Sequence, residues 1–128
     1  MPLQDPEEFV TFIKNHAGES LRTVVAYNDA EFSPLYVRAD LSERYDEAAV
    51  ERIASVAREA TRESGDLATD TPVGDLQCRI LSFERAVVMN FTVPPASGIV
   101  VSVDEGAAQR LQSFVGACRS HIAAEAAD

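Results

Sequence analysis

Four side chains in this chain belong to the types that most often act as nucleophiles, proton carriers or soft metal ligands: His16, His121, Cys78 and Cys118. Their spacing withholds that chemistry. No His-x-x-x-His, His-x-His or Cys-x-x-Cys pair is present, so a zinc or copper site has no local nucleus. A nucleophile needs a positioned base, and an enzyme of this sequence would have to join Cys78 or Cys118 to a histidine brought near by folding. Each histidine falls near the end of a predicted helix, where the helix dipole favours it without any catalytic role. Both cysteines fall in apolar-periodic segments and read as buried free thiols.

The remaining chemistry-bearing patterns are no more specific. Gly-x-x-x-x-Gly-Lys and Gly-x-Gly-x-x-Gly are absent, and the single lysine, Lys14, lies in the first predicted helix, so a conventional phosphate loop is excluded. Asp40, Glu43 and Asp46 gather before the second predicted helix, and Asp66, Asp70 and Asp75 around a loop over 67–74. Either group could hold a hydrated cation weakly, but in so acidic a chain a solvated face is the default. Arg38 near Asp40 and Arg85 beside Glu84 sit at strand ends and read as structural ion pairs. Tyr27, Tyr36 and Tyr45 lie in or beside the first predicted hairpin and read as packing residues. The alternative is a small-ligand-binding sensor, with Tyr27 and Tyr36 as the candidate pocket beside the 67–74 loop. No catalytic residue or metal ligand is assigned, and no cofactor is expected.

Charge says more about the solvent than about a reaction. Eleven cations, all arginine except Lys14, face twenty-one carboxylates, for a net charge of -10 over 128 residues. Such a surface repels itself unless salt screens it; at ~1 M ionic strength the Debye length falls to ~3 Å. Arginine pairs bidentately with carboxylates, whereas lysine brings a long apolar stem to the surface. The composition predicts a cytoplasmic protein of a salt-accumulating, archaeal cell. It excludes nucleic acid, since no basic stripe exists to displace counterions from phosphates, and it excludes an anionic membrane. The first residues show neither a basic nor an apolar signal region, and no apolar run approaches the ~18 residues of a membrane span.

The elements that would position any site follow from local pattern. The length predicts one domain over 1–128, with 123–128 a frayed tail. Asp5-Pro6-Glu7-Glu8 opens a helix with Phe9, Phe12, Ile13 and His16 at helical spacing, closed by Gly18. Residues 21–27 and 31–38 read as a hairpin, with Pro34 marking an edge strand or a bulge. Asp46 or Ser42 caps a second helix whose apolar set is Ala49, Val50, Ile53, Val56, Ala57 and Ala60. Residues 76–83, 86–93 and 99–103 read as an antiparallel meander, the middle one a central strand. Asp104 caps a last amphipathic helix through Ala107, Leu111, Phe114, Val115, Cys118 and Ile122. The order α-β-β-α-β-β-β-α predicts an α+β fold: a five-stranded antiparallel sheet flanked by helices. Strand order 2-1-5-4-3 is expected, because it brings the last strand beside the first.

The pair of strands over 86–93 and 99–103 is very apolar, while the second helix is short of bulk. Three helices of this size leave part of the sheet uncovered, so another subunit is expected to cover one edge or one helix face. Val88, Asn90, Ile99, Val101, Ile53 and Ala57 are the candidate interface residues. The expected assembly is a homodimer that also engages an unidentified protein partner.

The segments Leu21-Arg22-Thr23-Val24-Val25, Tyr36-Val37-Arg38-Ala39-Asp40, Gly74-Asp75-Leu76, Phe83-Glu84-Arg85-Ala86-Val87-Val88 and Gly98-Ile99-Val100-Val101-Ser102-Val103-Asp104 resemble a small, functionally uncharacterised domain family of halophilic archaea. The resemblance runs from about Phe9 to about Cys118 and transfers no catalytic residue. The element order also resembles the roadblock domain, with profilin-like sheets a neighbouring topology. That resemblance implies a non-enzymatic scaffold or regulatory module, dimeric and associated with small GTPases or motor complexes, and it too assigns no residues.

Overall fold

The computed structural model describes residues 5–64, 71–93, 95–109 and 120. Helix α1 (Pro6–Ala17) begins where Asp5 accepts a hydrogen bond from the Glu8 amide at 3.1 Å, with Pro6 in the first turn. Gly18 ends it with φ of 59°, a left-handed value that favours glycine. Strands β1 (Leu21–Tyr27) and β2 (Phe32–Val37) form the expected hairpin. Helix α2 (Glu47–Glu63) is capped by Asp46, whose carboxylate accepts from the Ala49 amide at 2.9 Å. Strands β3 (Arg79–Ser82), β4 (Ala86–Val93) and β5 (Ser97–Asp104) follow, and a short 3-10 turn spans Glu105–Ala108.

All neighbours in the sheet are antiparallel, in the order β2-β1-β5-β4-β3. The α+β architecture and strand order are those expected from the sequence. The β1–β2 register shifts between Val24 and Val25, opposite Tyr36 and Pro34, so Leu35 is the extra residue of a bulge. Pro34 thus lies both on an edge strand and at an irregularity, the two places where a missing amide donor is tolerated. The strand expected over 76–83 is only Arg79–Ser82, which leaves β3 a short edge. The most buried strands are β1 and β5; β4 lies one place in from the edge and is half-exposed. Apart from Ser120, the last predicted helix lies outside the described residues beyond its first turn, as do residues 123–128, expected as a frayed tail.

The two faces of the sheet are covered differently. On one, Leu21, Val24, Val87, Ile99, Val101 and Val103 form a core under Phe9, Val10, Ile13 and Ala17 of α1. Phe12 and His16, expected on that face, point to solvent and stack on each other with ring centroids 4.4 Å apart. Val10 and Ala17 supply the contacts instead. On the other face, Val25, Tyr27 and Val100 meet Val50, Ala54 and Ala57 of α2. The small residues of α2 let it sit close to β1 and β5. No helix among the described residues is long and apolar enough to cross a membrane.

Candidate functional site

Because α2 sits over β1 and β5, it leaves the β3–β4 side of its own face open. An apolar groove of about 300 Å³ runs there. Arg52, Ile53, Val56, Ala57 and Ala60 form its helical wall, and Leu81, Phe83, Val88 and Asn90 belong to its sheet side. Val56 is 63% exposed, Leu81 47% and Phe83 55%. Ile80, on the opposite side of β3 from Leu81, is 49% exposed. The edge strand therefore shows apolar side chains on both faces, and among the described residues its outer backbone groups face no other strand.

The polar groups of the groove are already engaged. Asn90 accepts a hydrogen bond from the Tyr27 hydroxyl at 2.7 Å and donates through Nδ2 to the Ala57 carbonyl at 3.3 Å. The Tyr27 oxygen also meets the Thr61 hydroxyl at 2.7 Å. Burial pushes the Tyr27 phenol above its ordinary pKa, although the bonds to Thr61 and Asn90 pull the other way. Arg79 donates to the Ser64 hydroxyl, which donates in turn to the Ala60 carbonyl at 2.6 Å. What remains for a ligand is an apolar surface with Arg52 at its rim.

The sequence-derived interface residues divide between the two faces. Ile53, Ala57, Val88 and Asn90 line the groove together. Ile99 and Val101 lie on the α1 face, 6% and 1% exposed, where they are core of this chain. Alternation along β5 separates them from Val100, which does reach the groove. The missed members include Val56, an apolar residue of the α2 stripe itself, and Leu81 and Phe83, whose signal was apolar character in and just beyond a short strand.

The two tyrosines of the candidate ligand pocket are not brought together. Tyr27 is buried under α2, whereas Tyr36 pairs with Val24 on the α1 face, its ring 4.3 Å from Lys14 Nζ. Tyr45, with Phe32, Pro34 and Val37, instead lines an open cleft of about 650 Å³ beside α2. Residues 65–70 of the neighbouring loop, with Asp66 and Asp70, lie outside the described residues, as do Cys118 and His121.

The other candidates for chemistry are held structurally. Arg38 contacts Asp40 at 2.6 Å and Asp104 at 2.7 Å and donates to the Glu19 carbonyl at 2.9 Å. Arg22 joins Asp104 at 3.3 Å and donates to the Tyr45 hydroxyl at 3.4 Å. The Arg38 hydrogen bonds hold Asp40 and Asp104 below the usual carboxylate range. Asp46 is consumed as the α2 cap, so the acidic group before α2 is divided between two structural roles. Glu84 and Arg85 make no ion pair among the described residues, because the tight turn that carries them leaves both exposed. His16 Nδ1 lies 2.9 Å from the Phe12 carbonyl one turn back. Burial pushes the Cys78 thiol above its ordinary pKa, which disfavours the reactive thiolate. Among the described residues no three His, Cys, Asp or Glu side chains gather as a metal site would require.

No curated protein matches the chain. The crystal structure of a roadblock/LC7 domain from Streptomyces avermitilis is similar to it at 12% identity, over 80% of this chain and 86% of that one, with a TM-score of 0.44. Residues 7–123 match the family described as Domain of unknown function (DUF7522), and the chain belongs to that family.

Proposed function

We propose that this protein is a non-enzymatic interaction module that works as a homodimer, a second copy covering the α2–β3–β4 groove and the β3 edge. One observation carries it: Val56, Leu81 and Phe83 are 63%, 47% and 55% exposed along a single groove whose polar floor is already satisfied. Soluble proteins seldom leave such a continuous apolar surface bare. Arg52 at the rim favours an occupant that is apolar and acidic. The chain's own α2 has that chemistry, with Glu59 and Glu63 on the same side as the exposed Val56. The net charge of -10 supports a salt-rich working environment, where two such acidic copies approach with their repulsion screened. A dimer of this kind would act as a scaffold or regulatory platform for a further protein. Light scattering in molar KCl tests the proposal: a dimeric mass is expected, and a strict monomer refutes it.

A further inference from the structure

Resting on that dimer, the residue pattern of α2 specifies how two copies find their register. We infer that the α2 helices of two copies lie antiparallel in the grooves, Arg52 of each chain forming an ion pair with Glu63 of the partner subunit. Arg52, Val56, Ala60 and Glu63 follow one another at steps of four, four and three, which is one stripe of an α-helix. The first three line the groove, and Glu63 continues the stripe into the last turn.

A stripe with a cation at one end, a carboxylate at the other and apolar residues between is self-complementary only when read in opposite directions. Parallel placement would set arginine against arginine, whereas a two-fold axis near the middle of the stripe pairs each cation with a carboxylate twice over. The same axis sets the larger Val56 against the smaller Ala60, so ridge meets hollow. Pairing within one chain is ruled out, since Arg52 and Glu63 are separated by about three turns, or ~16 Å along the axis.

Of the described arginines, the side chains of Arg22, Arg38, Arg58, Arg62 and Arg79 each hydrogen-bond within the chain, whereas those of Arg44, Arg52 and Arg85 do not, and of these three only Arg52 lines the groove. Neither Arg52 nor Glu63 has an ion-pair partner among the described residues. Glu63 also stands at the C-terminal residue of α2, where the helix dipole opposes a negative charge. Among the described residues nothing rewards a carboxylate there; a partner's guanidinium would.

Charge reversal separates this register from the dimer itself. Arg52→Glu and Glu63→Arg are compared with the unsubstituted protein by sedimentation equilibrium in ~0.5 M KCl, where contact pairs still register although distant charges are screened. Circular dichroism verifies that each variant keeps its helix content. Each variant alone is expected to dimerise roughly tenfold more weakly, as two ion pairs turn repulsive. An equimolar mixture of the two should recover the original affinity, since every contact across the mixed dimer is again glutamate to arginine. The double variant should recover it as well. A wild-type dimer whose single variants associate equally tightly, or whose mixture associates no better than its components, overturns the antiparallel register and leaves the dimer standing. A wild-type monomer removes both.

Discussion

The Tyr27 hydroxyl donates to Asn90 Oδ1 at 2.7 Å, linking β1 to β4 across the intervening β5. Gly98 of β5 makes the crossing feasible: a Cβ there would meet the Phe91 carbonyl oxygen at 2.6 Å and clash with the Tyr27 hydroxyl. Thr61 and the Ala57 carbonyl close the network from α2, so one buried tyrosine ties the helix to two strands, β1 and β4. The network also consumes the amide that would otherwise be the polar recognition group on the groove floor.

Tyr27→Phe removes the shared donor and leaves Asn90 Oδ1 short of a partner in a buried site. The expected loss is about 1–3 kcal/mol of folding stability, the ordinary penalty for an orphaned buried polar group. Urea denaturation measures it; an unchanged midpoint and slope would show that the network contributes nothing net.

Asp104 gives the fold a dependence on acid. Its carboxyl is held below the usual range first by the hydrogen bond from Arg38 and then by Arg22. A carboxylate with a lowered native pKa stabilises the fold above its unfolded value, ~3.9 for aspartate, and loses that contribution as pH falls through the native value. Asp104→Asn should therefore reduce stability near neutral pH by on the order of 1 kcal/mol, solvent screening included, and flatten the decline in acid. Thermal melts from pH 7 down to ~2.5 compare the two proteins in that window. Parallel curves would exclude this role.

The surface charge makes a separate demand on salt. With a net charge of -10, the melting temperature should be higher in ~2 M KCl than in ~0.1 M, where unscreened carboxylates repel. Calorimetry at both concentrations decides it, and equal melting temperatures would contradict the expectation.

Much of the architecture is legible in local pattern, because caps, turns and β-branched runs act over a few residues. Asp5, Gly18, Asp46 and the β1–β2 turn all mark boundaries the structure uses. The strand order also follows from the need to seat β5 beside β1. Legibility fails where the environment, not the residue, decides. The apolar stripe of α2 includes Val56, yet Ala54 and Thr61, outside that stripe, turn to the sheet with Val50 and Ala57, and Val56 turns away into the groove. Ile99 and Val101 are as apolar as an interface requires, but strand alternation sends them beneath α1. Tyr27 and Tyr36 are close in the hairpin sequence and opposite in the sheet, since the bulge at Leu35 and the pleat set their faces. The groove itself arises from the off-centre seat of α2, which no local pattern encodes.

Molecular mass in solution bears most directly on the proposed role. Multi-angle light scattering in ~2 M KCl at ~100 μM protein would register any association tighter than that concentration. The unsubstituted protein should elute at twice the chain mass of 13.9 kDa, and Val56→Glu, which changes an already exposed position, should elute as a folded monomer. A monomeric wild type, or a Val56→Glu protein that dimerises undiminished, would contradict the assignment of the α2–β3–β4 groove as the surface where this protein does its work.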